Sequence, residues 1–165
     1  MKNSVLFTIV LLAFSITLFS QPIVRVAVLP IRNMDGNLSL NTYCYKIADS
    51  LRTALSISEL NGKQFYIVPS DTVEAVLAEL NLDPNSAQYE SDIWKSVAIL
   101  NCQYVITGTF NVNGGRMLVN MYCYDMKTKV ADPTNAAKNI FKAPERVLET
   151  IGMMRDKLIP ALKAK

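Results

Sequence analysis

QYVITGTFNVNGGRMLVNMYCYD, residues 103–125, alternates between two kinds of side chain on either side of Asn113, Gly114 and Gly115. A period of two marks strands, because successive side chains leave opposite faces of a sheet. Tyr104, Ile106, Phe110 and Val112 share one face of the first arm, and Met117, Val119, Met121 and Cys123 continue it on the second. Asn113, Gly114 and Gly115 accept the positive φ that a tight reversal needs, so the arms close as a hairpin. Asn120, Tyr122 and Tyr124 then point the other way.

Upstream, residues 24–31 (VRVAVLPI) are apolar at nearly every position, which predicts a central strand covered on both faces. Turn formers at Asn33, Asp35 and Gly36 end it. Leu40, Tyr43, Cys44, Ile47, Leu51, Ala54 and Leu55 then recur at helical spacing, with Lys46, Asp49 and Arg52 assigned to the opposite side. A second short strand is expected over 64–69. It leads into a helix whose start carries Asp71 and Glu74 in capping-box spacing and whose buried stripe is Val73, Val76, Leu77 and Leu80. Asp83 and Pro84 stop that helix, and Ile93, Trp94, Val97 and Ala98 suggest another.

Beyond the hairpin, residues 126–129 make a turn, and 130–143 read as an irregular connection or a weak edge strand. Pro144 opens a closing helix carrying Val147, Leu148, Ile151, Met154, Leu158 and Leu162 on one face, with Pro160 expected to kink or fray its end. The fold class is therefore α/β (α+β): one domain with a mixed sheet, an early β-α-β crossover that makes the first two strands parallel, the hairpin, and a C-terminal helix packed on the sheet.

Lys2 followed by the charge-free apolar run at 5–19 has the layout of a secretory signal peptide. The run ends at Ser20, Gln21 and Pro22, short of the roughly 20 apolar residues of a spanning helix, so cleavage near Ser20 is preferred over an uncleaved anchor. Residues 1–20 are thus assigned to the signal and 21–165 to a single periplasmic domain without stable membrane insertion. The chain carries a net charge of +3 with its cations scattered, which argues against nucleic acid as partner. Cys44, Cys102 and Cys123 sit inside apolar patterns, and buried thiols are preferred over a bridge between Cys102 and Cys123.

Histidine is absent from the sequence, which excludes Ser-His-Asp and Cys-His nucleophilic sites and removes the commonest zinc ligand. No phosphate-cradling loop occurs, and Gly114 and Gly115 lie between strands rather than before a helix. The close acid pairs, Asp71 with Glu74 and Glu145 with Glu149, fall at helix starts, where the dipole explains negative charge without catalysis. No catalytic residue, cofactor or metal site is assigned. Two candidate contact regions remain. One is the loop with Arg32, Asn33, Asp35 and Asn37, at the carboxyl end of the first strand, where open α/β sheets place binding sites. The other is Tyr122 and Tyr124, on the face away from the hairpin's apolar side.

Four segments carry a family resemblance: VRVAVLPIRNMDG at 24–36, YKIADSLRTAL at 45–55, QFYIVPSDTVEAVL at 64–77, and the stretch from Trp94 to Ala131 that contains the hairpin. Together they resemble the group that includes the amino-terminal domain of TolB, the flagellar outer-membrane protein FlgO, and the curli-secretion (CsgG) and penicillin-binding-protein-activator (LpoB) lipoproteins. The resemblance implies an envelope accessory domain that binds a protein partner and assists assembly or regulation of an envelope complex without catalysis. A small-ligand carrier using the loop after the first strand, and an exported carboxylate hydrolase, are the alternatives.

Overall fold

The computed structural model describes residues 23–163; the expected signal at 1–20 lies outside them. Its centre is the hairpin of β4 (Tyr104–Asn113) and β5 (Arg116–Asp125), paired from Asn113↔Arg116 to Tyr104↔Asp125. Gly114 and Gly115 adopt φ of 57° and 73°, the left-handed pair whose twist matches that of the flanking strands.

Parallel strands extend the hairpin on one side. β1 (Val24–Val28) pairs parallel with β4, and β3 (Phe65–Ile67) pairs parallel with β1, the crossover running through α1 (Thr42–Ser56). The expected strand at 24–31 is interrupted after Leu29, whose N–H still donates to the Ile106 carbonyl at 2.9 Å: Pro30 carries no N–H, and that of Ile31 turns away from β4 to the Cys44 carbonyl at 3.0 Å. Pairing resumes in β2 (Arg32–Asn33), opposite Thr109 and Phe110. The displaced Pro30 carbonyl accepts hydrogen bonds from Thr107 Oγ1 at 3.0 Å and from the Tyr89 hydroxyl at 2.9 Å. On the other side, β6 (Val130–Ala131) and β7 (Ala137–Lys142) both pair antiparallel with β5.

Helices cover the two faces unequally. On the first, α1 and α4 (Ile151–Leu162) bury Leu51 and Leu158 against Val26, Ile106, Phe110 and Met121. Complete burial of a side chain such as Phe110 contributes about 1.5–3 kcal/mol. On the second face, α2 (Ser70–Glu79) and α3 (Tyr89–Ile99) pack over Ala27, Leu29 and Val105. Beyond Thr107 that cover stops: Thr109, Asn111, Leu118 and Asn120 are half-buried, and Phe141 is 43% exposed.

Of the two readings of residues 130–143, the edge strand holds for 137–142, which form β7 with a bulge at Asn139 (φ 57°). Three expectations are corrected. Arg52, assigned to the polar side of its helix, is only 4% exposed. The closing helix begins as a 3-10 stretch at Pro144–Thr150 and becomes α-helical at Ile151; it continues through Pro160 to Leu162, held by buried Ala161 and Leu162. The capping box does not form, because α2 starts at Ser70: the Ser70 hydroxyl donates to Glu74 Oε1 at 2.8 Å, while Asp71 Oδ1 accepts from the neighbouring Thr72 N–H.

Candidate functional site

Three of the six residues singled out from sequence meet in one groove, of about 230 Å³, between α3 and the middle of β4 and β5. Arg32 arrives from β2, whose parallel pairing places it opposite Thr109. Tyr122 stands opposite Thr107, and Tyr124 opposite Val105, in the hairpin ladder. From α3, Trp94 meets Tyr124 edge-on, with ring centroids 5.7 Å apart, and Tyr122 lies 6.2 Å from Tyr124. Edge-to-face packing of this kind adds about 0.5–1.5 kcal/mol beyond the area buried. The three rings thus form a fixed aromatic wall.

The polar parts of the groove come from Arg32 and Glu90, whose side chains pair at 3.1 Å. Glu90 is 60% exposed, so the pair contributes at most about 1 kcal/mol and can be exchanged for another partner. Lys129, at the turn after β5, holds its Nζ 5.8 Å from the Trp94 ring centroid. Burial, then the neighbouring Tyr122 and Glu90, raise the Tyr124 phenol above its ordinary pKa.

Asn33, Asp35 and Asn37 do something else. The Asn33 amide donates to the Asn37 carbonyl at 2.9 Å and to Asn41 Oδ1 at 2.8 Å, and its own Oδ1 accepts from the Asp35 N–H. Asn37 caps the following 3-10 turn through the Ser39 N–H. The side chains of Asn33 and Asn37 therefore hold the loop in shape. Glu90 and Trp94 belong to the groove without having been singled out for it. Their only sequence signal is position on the first two turns of α3, which says nothing of what lies opposite.

Of the paired acids, Asp71, Glu74 and Glu149 are engaged in local bonds. Glu149 accepts from Arg146 at 2.8 and 2.9 Å and meets Lys142 at 3.2 Å, and these donors hold its carboxyl at about 2, far too acidic to deliver a proton at neutral pH. The cysteines are buried thiols, with Cys102 under α3 and Cys123 on the opposite face of the sheet. Burial pushes the thiols of Cys44 and Cys102 up to about 11.

That shift has a definite sign. An unfolded thiol loses its proton near 8.5, so between about 8.5 and 11 the native chain binds more protons than the unfolded one and stability falls as pH rises. Thermal melts under reducing conditions are expected to show a decline across that window, and a variant with both Cys44→Ala and Cys102→Ala a shallower one. Equal slopes for the two proteins would contradict the assignment.

No protein-family model matches the chain, and no curated protein matches it either. Solved structures do. LpoB from E. coli, determined by NMR, superposes with a TM-score of 0.53 at 17% identity, covering 74% of this chain and 59% of that one. Lipoprotein GNA1162 from Neisseria meningitidis gives a TM-score of 0.53 at 16% identity, covering 69% of this chain and 78% of that one. TolB from Acinetobacter baumannii aligns over 87% of this chain and 29% of that one, at 16% identity and a TM-score of 0.48. The first two share this chain's fold, the fold expected from the four quoted segments.

Proposed function

We propose that this chain is an exported envelope domain that binds a protein partner through the groove between α3 and the hairpin, and that it catalyses nothing. The observation carrying this reading is the aromatic wall of Trp94, Tyr124 and Tyr122 opening onto a sheet face that neither α2 nor α3 covers. Rigid, half-buried aromatic rings supply contact area at little entropic cost, and they are enriched where proteins meet. The export signal read at residues 1–20 and the fold shared with LpoB and lipoprotein GNA1162 support a place in the cell envelope, in the periplasm. Assistance in assembling or regulating an envelope complex is the role these features fit.

The small-ligand alternative is weaker, because a groove of about 230 Å³ lies below the ~300–1,000 Å³ of ordinary ligand pockets. The carboxylate hydrolase is weaker still, since each candidate pair has at least one acid tied up locally, Asp71 and Glu74 in one and Glu149 in the other. A photo-crosslinking residue placed at Tyr122 in living cells is expected to give a discrete adduct with one envelope protein. The same residue at exposed Lys46, on α1, is the control. Adducts of equal yield at both positions, or none at Tyr122, would remove the proposal.

A further inference from the structure

The uncovered face beside the groove has a one-sided charge. Residues 104–124 and 137–142, which build β4, β7 and nearly all of β5, contain no Asp or Glu. Cations border the face at separate corners. Arg116, at the hairpin end, places its guanidinium 5.6 Å from the Phe141 ring centroid, and Lys129 sits over Trp94 at the other end of β5. Among the described residues neither Arg116 nor Lys129 has a carboxylate partner. Arg32 has one, the solvent-exposed and exchangeable Glu90.

Between these cations the surface is apolar in patches. Leu118 stands directly across from Phe141 in the β5–β7 register, and Tyr122 follows four residues along the same face of β5. Thr109 and Asn111 supply hydrogen-bonding groups on the adjacent strand, whereas Asn120 already accepts the Asn139 N–H at 2.8 Å. Strands rise ~3.3 Å per residue, so β5 offers a track about 30 Å long. That is the length of an extended peptide of roughly nine residues.

We infer that this face receives an extended segment of the partner in which acidic residues alternate with apolar or aromatic ones. Its carboxylates meet Arg116, Lys129 and Arg32, and its apolar side chains meet Phe141, Leu118 and Tyr122. The inference rests on the partner-binding reading above and adds the chemistry of what binds. Charge complementarity selects the occupant: a basic segment would face Arg116 and Lys129 without compensation, at a cost in both encounter rate and residence.

The probe is a fluorescent peptide of about 12 residues alternating Glu with Leu or Tyr, compared with its Lys-for-Glu counterpart on the chain purified from the cells that export it. Anisotropy at low salt is expected to show the Glu peptide binding at least about ten-fold tighter, with the gap narrowing as salt rises. Arg116→Glu combined with Lys129→Glu is expected to reverse the preference, and both substitutions fall at exposed positions where thermal melts can verify folding. Amide shifts on addition of the Glu peptide are expected along β5 and β7.

Equal affinity for the two peptides, or a preference untouched by the charge reversal, overturns the inference. So does binding to vesicles containing phosphatidylglycerol without binding to the Glu peptide, which would give the cations to lipid. Failure of the peptide with an intact Tyr122 crosslink overturns the acidic chemistry alone and leaves partner binding standing. Failure of both takes both readings down.

Discussion

Gly108→Ala is expected to lower the unfolding free energy by about 3 kcal/mol, the combined cost of overpacking and of disturbed ladder hydrogen bonds. A Cβ at this position would lie 2.0 Å from the Asn120 carbonyl oxygen and 2.8 Å from the Met121 Cα. Both are backbone atoms, so no side chain can rotate away. Relief requires β4 and β5 to part at Gly108↔Met121, in the middle of their ladder. Loss of stability on this scale corresponds to a melting temperature lower by roughly 10 °C for a domain of this size. Thr109→Ala, one residue along and on the uncovered face, is expected to stay within about 0.5 kcal/mol of the parent. Urea unfolding measures both. A Gly108→Ala midpoint equal to that of Thr109→Ala would show that the strands yield without cost.

Gly108 also shows which parts of this fold can be read from the chain. The hairpin was legible because its turn is two residues long and both are glycine: nothing outside the segment is needed to set the register. The helical stripe of α1 was legible for the same local reason. β7 was legible only as one of two alternatives, because its bulge at Asn139 breaks the period of two. Ala137 and Ile140 both point into the core although they are three residues apart, and AKNIFK therefore shows no alternation. The groove was legible only in pieces. Arg32 stood out for following a central strand, and Tyr122 and Tyr124 for their parity in the hairpin. What joins them is the resumption of parallel pairing after Pro30, a long-range event with no local pattern. Trp94 was read only as part of a helix face, and Glu90 not at all, since their roles come from the strands they happen to face.

Arg52 is the residue whose reading from sequence failed most completely, and its removal is expected to be the second large effect. It follows Cys44 and Ala48 at steps of four and lies on their buried face, but a charged residue on an amphipathic helix is ordinarily assigned to water. Here its Nη2 donates to the Val28 carbonyl at 2.6 Å and its Nη1 to the Ser70 hydroxyl at 2.6 Å, with Asp49 as counter-charge one turn back. One side chain thus ties α1 to the end of β1 and the first turn of α2. Arg52→Met keeps most of the stem but leaves the Val28 carbonyl and the Ser70 hydroxyl without this donor. The expected loss is about 2–4 kcal/mol, below the top of the range for broken buried pairs because half-exposed Asp49 can rehydrate. Asp49→Asn is therefore expected to cost less than about 1 kcal/mol. Arg52→Lys should fall between the two, since a single ammonium cannot serve two acceptors with the geometry of a planar fork. Among the described residues the buried Arg52 Nε has no hydrogen-bond partner, which offsets part of the guanidinium's contribution. If Arg52→Met proves as stable as the parent in urea unfolding, that offset is complete and the fork contributes nothing to holding the two helical layers onto β1.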